Sequence, residues 1–398
     1  MEVIVNLQPL LGPLTGIGHY TRELLRQLVA EQAESLPSMT LKGLRGLRLE
    51  PLGAGHSLLA ESPPNVPASA RFARRQFLRR YLRNSATRFA YHQLFAQRLR
   101  WHALSQRGAS SSALYWEPGF IRLPWPGRSV VTVHDLSHCR YPQYHPAERV
   151  AFFRRYLAPG LHRATRINVV SRFTADELVD LFDIEPQRID IVSPGVAERF
   201  SAVSMADREQ VRQRHSLPED YWLSVGTLEP RKNLRTVLAA FLSLPFERQR
   251  ARPLVLAGLA GWGDQTLPDG LAAALDEGRV RQLGYVDEAE LPALYANASG
   301  FAYVSLYEGF GMPIIEAMAA GVPVLTADRT ATREVAGDAA LCVDPESRDA
   351  IRDGLIRLQD DSTLSKRLRE AGRQRAAAYT WQRSAEALKA SFINATNL

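Results

Sequence analysis

The chain has 398 residues, two cysteines and a formal net charge of +7. Its length exceeds what one ordinary hydrophobic core fills, so we expect two domains, and its apolar share of 45% excludes a largely disordered chain. Two cysteines exclude a disulfide framework and fit a reducing cytoplasm, no apolar run approaches the roughly 20 residues of a membrane helix, and the N-terminus lacks the features of a signal peptide.

The first predicted elements are a strand, a glycine-containing loop and a helix. The strand begins at Val3, and the pattern breaks at "LGPLTGIGHYTREL", so that Gly16 and Gly18 stand where the helix starts. Free backbone N–H groups at a helix start attract anions, which makes this loop a candidate anion site. It is not a full G-x-G-x-x-G motif, and an ordinary turn is the alternative.

A basic stretch follows, because no acidic residue occurs between Glu61 and Glu117. Arginines and apolar side chains alternate there at helix-like spacing, which predicts a basic amphipathic helical segment over 70–107. Its use is open between nucleic-acid binding, contact with an anionic membrane surface and an ordinary solvated helix face. The arginines that we assign to this surface are Arg74, Arg75, Arg79 and Arg80.

Further strands are predicted at "ALYWEP", "SVVTVHDL", "RINVVS" and "IDIVSPGV". The helix "RFTADELVDLF" lies between the last two, with Thr174 as its predicted N-cap and Glu177 three residues on. After a polar stretch the alternation restarts at "YWLSVGT" and continues to "AALCVDP", which predicts parallel sheets with helices on both faces.

We therefore predict an α/β chain of two Rossmann-like, doubly wound halves. Ligands of such sheets bind beyond the carboxyl ends of the strands, so the cleft between the halves is the expected site. We place the first domain at 1–198 and the second at 199–376. A last amphipathic helix within 377–398 is expected to pack back toward the first domain.

The stretch "SLYEGFGMPIIEAMAAG" places two carboxylates around a glycine loop. Glu308 follows an apolar strand, Gly309 and Gly311 allow a close backbone approach, and Pro313 suits the first position of a helix. Glu316 would then lie in the first turn and point back toward the loop. The alternatives are a solvated loop acid and a carboxylate that stabilises the helix dipole. Carboxylates accept hydrogen bonds from vicinal diols, so together the features predict a sugar-nucleotide site.

The stretch "VGTLEPRKN" carries the second group of candidates. Gly226 and Thr227 end a strand, and Arg231 and Lys232 lead into a helix predicted from Asn233. Adjacent cations that face a cleft suit a diphosphate, and they stabilise the negative charge that grows on a departing nucleoside diphosphate. The alternative is a pair of exposed surface cations.

The third candidate is the stretch "VTVHDLSH". His134 follows an apolar strand in the first half, where it can meet the transferred sugar from the opposite side of the cleft. Asp135 could orient it or face the acceptor, and a histidine bonded to backbone at the edge of the core is the alternative. No Asp-x-Asp follows a strand, no Cys/His cluster has ligand spacing, and no G-x-S-x-G is present, so no metal is predicted and a serine hydrolase is unsupported.

Four stretches, "YEGFGMPIIEAMAAGVPVLTAD", "GTLEPRKN", "VVSRFTADEL" and "TGIGHYTREL", together resemble family 4 of the glycosyltransferases, which have the GT-B fold. The match runs nearly end to end and is poorest over 70–107. The resemblance implies retaining transfer from a nucleotide sugar with no metal or other cofactor. By position, it implies that Glu316 binds the ribose and Glu308 the donor sugar, with His134 near the anomeric centre. Arg231 and Lys232 would bind the diphosphate, with Gly16 and Gly18 on the opposite side. The resemblance also implies contacts from backbone, around the sugar and phosphate from Phe310, Gly311 and Met312, and near the base from Gly284 and Tyr285.

More narrowly, "GTLEPRKN" and "YPQYHPAERV" resemble bacterial mannosyl- and D-rhamnosyltransferases that build O-antigen. That resemblance implies a GDP-sugar donor and a lipid-linked glycan acceptor. It also implies a peripheral location on the cytoplasmic face of the inner membrane, where the segment 70–107 would meet anionic lipid.

Four other interpretations are open. A UDP-sugar-dependent member of the same family and a GT-B sugar-nucleotide epimerase share the architecture, and free epimer formed without acceptor would distinguish the epimerase. A basic nucleic-acid-binding protein would show steeply salt-dependent binding that nucleotide sugars do not affect. A dehydrogenase lacks its dinucleotide fingerprint here.

Overall fold

The structure is a computed structural model that describes residues 1–11, 14–34, 39–46, 48–60, 93–94, 97, 113–227, 229–258 and 268–397. Most of the predicted basic segment 70–107 lies outside these residues, and so do all four arginines assigned to it, Arg74, Arg75, Arg79 and Arg80. Within the described part, the chain forms two separate sheets, one in each half.

The first sheet is doubly wound, as predicted. Its strands are β1 (Glu2–Asn6), β2 (Thr40–Arg45), β3 (Arg48–Pro51), β4 (Leu114–Glu117), β5 (Ser129–Val133), β6 (Arg166–Val169) and β7 (Ile189–Ile191). They lie in the order β3-β2-β1-β4-β5-β6-β7, and all pairs are parallel except β2 with β3. Strands β4 and β5 are buried along their whole length, which fits a parallel sheet covered on both faces.

The second sheet repeats this arrangement with parallel pairs throughout. Its strands are β8 (Trp222–Val225), β9 (Leu254–Ala257), β10 (Val280–Gly284), β11 (Gly300–Tyr303), β12 (Val324–Ala327) and β13 (Leu341–Val343). Their order is β10-β9-β8-β11-β12-β13, so the chain reverses direction across the sheet between β8 and β11. Ligands of such sheets bind at this reversal, next to the carboxyl ends of the two strands.

Helices cover both sheets. Among the described residues, those of the first half are α1 (Gly16–Glu34), α2 (Ser137–Arg140), α3 (Ala147–Arg163) and α4 (Arg172–Phe182). Those that follow are α5 (Met205–Arg214), α6 (Leu234–Leu242), α7 (Phe246–Ala251), α8 (Leu271–Asp276), α9 (Leu291–Asn297), α10 (Met312–Ala319), α11 (Thr330–Ala336), α12 (Arg348–Asp360), α13 (Ser362–Ala376) and α14 (Trp381–Thr396).

The last helix, α14, packs against α1 and the first sheet. The ring of Phe392 lies 5.6 Å from that of Trp116, and Ser384 Oγ donates a hydrogen bond to the carbonyl of Ser193 at 2.6 Å. The chain passes so close at Gly195 that a Cβ atom there would lie 2.2 Å from the backbone nitrogen of Trp381. The C-terminus therefore returns to the half in which the chain began.

The predicted N-cap of α4 is wrong by three residues. The helix begins at Arg172, and Ser171 is the residue whose side chain accepts a hydrogen bond, from Thr174 N at 3.1 Å. Glu177 does not close a capping box, because it is the sixth residue of the helix rather than the third. Its carboxylate instead accepts a hydrogen bond from Arg140 Nε at 2.9 Å. A contact with another helix thus determines the position of Glu177, and sequence spacing could not show it.

The two halves meet directly at the start of α4. The carbonyl of Gly309 accepts hydrogen bonds from Ser171 Oγ at 2.7 Å and Thr174 Oγ1 at 3.2 Å. The carboxylate of Glu334 accepts two more, from the backbone nitrogens of Arg172 and Phe173. These bonds hold the glycine loop of the second half against the first half.

Candidate functional site

Glu308 lies just beyond the end of β11, and its carboxylate pairs with both predicted cations. Arg231 Nη1 donates to Oε2 at 2.8 Å, and Lys232 Nζ donates to Oε1 at 2.6 Å. The hydroxyl of Tyr303 donates to the same Oε1 at 2.7 Å. Burial raises the pKa of Glu308, but the charges of Arg231 and Lys232 outweigh it and bring the pKa to about 2. Glu308 is therefore an ionised carboxylate held by three donors.

Other charges also act on the two cations. Arg231 forms a second ion pair with Glu229 at 2.8 Å. Burial lowers the pKa of Lys232, and the attraction of Glu308 offsets this only in part. The pKa of Arg231 is raised, because Glu308, Asp135 and Glu229 together outweigh its burial. Carboxylates thus neutralise both positive charges in the structure as it stands.

The segment that carries the cations is fixed by Asn233, which precedes α6. Asn233 Nδ2 donates to the carbonyl of Val304 at 3.0 Å, and its backbone adopts a φ of 59°. Two residues further along from Val304, Leu306 N donates to the carbonyl of Arg231 at 2.8 Å. These bonds tie the segment to the chain that follows β11 and hold both cations beside the carboxylate.

Gly226 and Thr227 follow β8 directly, where the sequence predicted the end of a strand. The φ of Gly226 is 152°, a conformation that favours glycine. The aliphatic carbons of Lys232 pass 4.0 Å from the Cβ position of Gly226. The structure thus brings Gly226 beside one of the cations, and it leaves Thr227 exposed at the strand end.

His134 lies in the first half with its backbone carbonyl against Gly309, and its side chain is bonded to backbone, as in the alternative interpretation. Its Nε2 lies 2.8 Å from the carbonyl oxygen of Pro118, and its ring lies edge-on to Tyr20 and Phe120. Because a carbonyl can only accept, Nε2 carries the proton. Burial lowers the pKa of His134, so the imidazole is neutral at pH 7.

Ser137 orients the carboxylate of Asp135, and Arg231 of the second half favours its ionised form. Its Oδ1 accepts hydrogen bonds from Ser137 N at 3.0 Å and Ser137 Oγ at 2.6 Å. Burial raises the pKa of Asp135, yet the charge of Arg231 and the bonds from Ser137 bring it to about 2. Asp135 therefore presents a fixed negative charge toward the cation of the other half.

The glycine loop packs directly on this part of the first half. A Cβ atom at Gly309 would lie 1.8 Å from the carbonyl oxygen of His134 and 2.8 Å from Asp135 Cβ. Gly311 needs glycine for another reason, because its φ is 102°. The prediction that both glycines allow a close approach thus holds for Gly309, and the approach is between the two halves of the chain.

Phe310 and Met312 flank Gly311 in this loop. Phe310 is buried, with its ring 5.5 Å from that of Tyr379, so only its backbone is available at the site. Met312 is the first residue of α10, and Pro313 is therefore the second residue rather than the first.

The predicted position of Glu316 in the helix is wrong by one residue. Because α10 begins at Met312, Glu316 lies in the second turn, and stabilisation of the helix dipole does not explain it. The hydroxyl of Tyr295 donates to its carboxylate at 3.0 Å. Burial raises the pKa of Glu316, while this hydrogen bond and the positive field of His19 and Arg199 oppose the rise.

Beside Glu316 lies a second group of charges that joins the two halves. Glu288 Oε1 accepts from Arg22 Nη2 at 2.7 Å and pairs with Arg199 at 2.5 Å and with His19 at 3.4 Å. Although burial raises the pKa of Glu288, these partners hold it well below its ordinary value. None of these residues was predicted, because their partners are distant in sequence.

His19 connects the early glycines to this group. Gly18, next to it, is buried, and a Cβ atom there would lie 2.8 Å from Leu14 Cδ2 and 2.9 Å from the carbonyl oxygen of Pro9. At Gly16 a Cβ atom would have no neighbour within 4 Å. Gly18 is thus required for packing of the loop, whereas Gly16 lies open at the start of α1.

Gly284 and Tyr285 lie at the opposite edge of the second sheet. Gly284 ends β10 with a φ of 70°, and the side chain of Tyr285 is 66% exposed. Three strand spacings, roughly 14 Å, separate β10 from the β11 strand that precedes Glu308. The structure therefore does not bring these two residues into the Glu308 group, by which we mean Glu308 and the three side chains that donate to it, Arg231, Lys232 and Tyr303.

Tyr307 is a further residue of the site that the motifs did not predict. Its hydroxyl accepts a hydrogen bond from Leu136 N at 3.0 Å and donates one to Glu177. It precedes Glu308 directly, so it joins the loop of the second half to two elements of the first. A hydroxyl-bearing aromatic next to the glutamate in "SLYEGFG" was the available signal, as was Glu229 inside "GTLEPRKN".

Glu117, at the carboxyl end of β4, is a second buried carboxylate of the first half. Asn6 Nδ2 donates to its Oε2 at 2.8 Å, the Tyr115 hydroxyl donates to the same atom at 2.7 Å, and Gly119 N donates to Oε1 at 3.2 Å. Burial outweighs these bonds and raises its pKa from 4.5 to about 7. Glu117 is adjacent to Pro118, whose carbonyl holds His134.

We expect Glu117→Gln to change the pH dependence of stability. Between pH 4.5 and about 7, the Glu117 carboxyl is protonated in the folded protein and ionised in the unfolded chain. The stability that this protonation contributes to the folded protein is complete below pH 4.5 and is lost as the pH rises through 7. Glutamine stays neutral, so the unfolding free energy of the variant relative to wild type should rise by roughly 3 kcal/mol between pH 4.5 and 8. Urea unfolding followed by tryptophan fluorescence measures this, and an equal difference at both pH values would contradict it.

Within the described residues, no group of three or more His, Cys, Asp or Glu side chains has the geometry to hold a metal ion. A helix long and apolar enough to cross a membrane is likewise missing from that part of the chain.

Comparisons with known proteins give a consistent result. The family model described as "Glycosyl transferases group 1" matches residues 207–375, and the model "Glycosyltransferase Family 4" matches residues 14–200. The O-antigen chain mannosyltransferase B of Escherichia coli is 35% identical to this chain over 403 residues, with 100% of each chain covered.

Solved structures show the same fold at low identity. Sucrose-phosphate synthase from Thermosynechococcus elongatus has a TM-score of 0.68 at 19% identity, covering 99% of this chain and 98% of that one. Anabaena HepE in complex with UDP-glucose has a TM-score of 0.63 at 15% identity, covering 98% and 100%. The predicted GT-B fold is thereby confirmed.

Proposed function

Because the chain belongs to the glycosyltransferases of family 4, we propose that it transfers a sugar from a nucleotide sugar to a glycan in O-antigen synthesis. The observation that carries this proposal is the group at the end of β11, in which Arg231 and Lys232 converge on Glu308 opposite His134. The relative that matches over the full length of both chains is named an O-antigen chain mannosyltransferase, which supports the acceptor class.

In this proposal the donor lies along the carboxyl ends of the second sheet. Arg231 and Lys232 bind the diphosphate, with the α1 start opposite, and Glu308 accepts from hydroxyls of the transferred sugar. Glu316 binds the ribose. The remaining donor contacts that we propose are the backbone of Gly226, Thr227, Phe310, Gly311 and Met312, the glycines Gly16 and Gly18, and Gly284 and Tyr285 near the base.

The charges suggest how a donor would bind. Both cations are neutralised by carboxylates in the structure, so a diphosphate must take over bonds that Glu308 and Glu229 now make. Glu308 would then turn its oxygens to sugar hydroxyls. The cations stabilise the leaving diphosphate most as its negative charge grows, which favours the transition state over the bound donor.

We propose retention by attack on the same face of the sugar, without a metal. The bond from the anomeric carbon to the phosphate oxygen breaks, a bond to the acceptor oxygen forms, and the acceptor proton passes to the leaving phosphate. Double displacement needs a carboxylate free to attack the anomeric carbon. Glu308 does not fit that role in this proposal, because its oxygens accept hydrogen bonds from hydroxyls of the bound sugar. A glycosyl adduct trapped on Glu308 would contradict the proposal.

For the donor we propose GDP-mannose or GDP-D-rhamnose, with a UDP-sugar as the alternative. The name of the full-length relative supports mannose, whereas HepE was solved with UDP-glucose. We further propose a lipid-linked acceptor and a peripheral location on the cytoplasmic face of the inner membrane. The run without acidic residues between Glu61 and Glu117 supports contact with anionic lipid.

The test is a thermal-shift screen of GDP-, UDP- and ADP-sugars followed by a transfer assay. We expect one GDP-sugar to raise the melting temperature of the wild-type protein. Arg231→Gln should abolish that shift and lower turnover by about 100-fold or more, because one charge-assisted grip on the diphosphate is lost. Arg235→Gln, an exposed arginine on α6, is the matched control. If no nucleotide sugar shifts the wild type, the proposed function is wrong.

A further inference from the structure

A cavity of about 470 Å³ lies between the two halves, next to the Glu308 group. One wall comes from α2 and α4 of the first half, and the other from Tyr307 and the start of α11. It opens to solvent, and its volume is that of a site for a small organic ligand. Its lining residues are Arg140, Tyr141, Phe173, Asp176, Glu177, Asp180, Tyr307, Arg329 and Thr330.

Aromatic rings from both halves line the cavity. The Tyr141 ring lies 5.5 Å from that of Tyr307, and the Phe173 ring lies 5.7 Å from it, both edge-on. Tyr144 extends the surface, because its ring stacks on Tyr141 at 5.5 Å with an angle of 7° between the planes. Flat apolar faces with hydroxyl edges suit a ligand that has one apolar face and a polar rim.

Charged groups surround these rings. Arg140 pairs with Glu177 and Asp180, and Arg329 pairs with Asp344 at the other side. Asp176 differs, because among the described residues it makes no hydrogen bond or ion pair and its side chain is exposed at the cavity. Its carboxylate is free to accept two hydrogen bonds from a ligand.

The cavity is joined to the proposed donor site by backbone. Tyr307 lines it and is bonded to Glu308 through the chain, and Thr330 Oγ1 accepts a hydrogen bond from Glu308 N at 3.4 Å. Thr330 holds a φ of 57°, an unusual conformation for a β-branched residue. The nucleotide base is proposed to lie near β10, and a ligand in the cavity would therefore lie on the other side of Glu308.

We infer that this cavity binds a sugar residue of the acceptor glycan. A pyranose ring has an apolar C–H face, which matches Tyr141 and Phe173, and vicinal hydroxyls, which match the carboxylate of Asp176. Because the cavity has walls from both halves, acceptor binding and closure of the cleft are coupled. This inference rests on the proposed transferase function and adds the acceptor subsite to it.

The test uses mannotriose as the probe and measures its binding directly, by saturation-transfer NMR on the full-length protein with GDP present. We expect Asp176→Asn and Tyr141→Ala each to weaken mannotriose binding by about tenfold. The affinity for GDP should stay within about twofold of wild type, since neither residue touches the Glu308 group. The matched control is Asp276→Asn, an exposed carboxylate on α8 beside the opposite edge of the second sheet.

The outcomes separate this inference from the proposed function. Weakened mannotriose binding in Asp176→Asn, with GDP binding intact, supports the subsite, and Asp176→Asn is a surface change of equal size that should fold normally. GDP binding without mannotriose binding in the wild type, or unchanged mannotriose binding in both variants, overturns the subsite and leaves the donor site standing. Failure of every nucleotide to bind overturns the function itself.

Discussion

Replacing Gly309 with alanine is expected to lower the rate of sugar transfer by about 100-fold or more while leaving both halves folded. The added Cβ atom would lie 1.8 Å from the carbonyl oxygen of His134, which is backbone and cannot rotate away. The two halves must then separate at the point where Gly309 now bonds to Ser171. A displacement of about 1 Å between reacting groups is enough to cost such a factor.

The matched control is Gly53→Ala, since a Cβ atom there would have no neighbour within 4 Å and Gly53 has no positive φ. Transfer rates report the loss, and small-angle scattering reports whether the variant is more open than the wild type. GDP binding should persist, because the cations and the carboxylates bonded to them lie within the second half. If Gly309→Ala is as compact as the wild type and transfers sugar at the wild-type rate, the close contact between residue 309 and His134 is not needed for transfer, and the prediction is wrong.

The general position of the site could be predicted from the sequence. An apolar run such as "GFAYVS" predicts a buried parallel strand, and the residue that follows such a strand lies at the edge where ligands bind. Glu308, Arg231 and His134 were selected by this rule. The structure pairs Glu308 with Arg231 and places the backbone of His134 against the adjacent Gly309. The rule works because it needs only the order of strands and helices along the chain.

Partners distant in sequence could not be predicted in the same way. Glu177 looked like part of a local capping box, yet it accepts a hydrogen bond from Tyr307, which lies 130 residues away. Glu117 stands in the predicted strand "ALYWEP", and its pKa is raised only because folding buries it, against the opposing hydrogen bonds from Asn6 and Tyr115. Local spacing fixes helices and strands, whereas the electrostatics of a buried group depends on whichever elements pack around it.

The sequence motifs also could not show that carboxylates neutralise Arg231 and Lys232. The stretch "GTLEPRKN" predicts a diphosphate site because it contains two adjacent cations, but it does not show that Glu308 already occupies them. This pairing has a direct consequence. The same carboxylate that is proposed to bind the sugar competes with the diphosphate for Arg231 and Lys232.

Glu308→Gln should therefore separate binding from turnover. The neutral amide keeps the size of the side chain but removes the charge that pairs with both cations. We therefore expect GDP to bind about tenfold more tightly, the equivalent of roughly 1.4 kcal/mol for one charge-assisted bond that no longer has to be broken. Turnover should fall by about 100-fold, because the transferred sugar loses its charged acceptor. Calorimetry with GDP and a steady-state transfer assay measure the two effects. Glu316→Gln is the contrasting variant, and it should weaken GDP binding because it lies at the proposed ribose site.

The gain in affinity should also depend on pH. Burial and Arg231 already lower the pKa of Lys232, and the charge of Glu308 is the main influence that opposes them. Once residue 308 is neutral, the pKa of Lys232 falls further, so the lysine loses its proton at a lower pH than in the wild type. Tight GDP binding by the variant should accordingly decline with rising pH, and the decline should begin at a lower pH than in the wild type. GDP binding by Glu308→Gln that is weaker than wild type at every pH would mean that the carboxylate assists the diphosphate rather than competing with it.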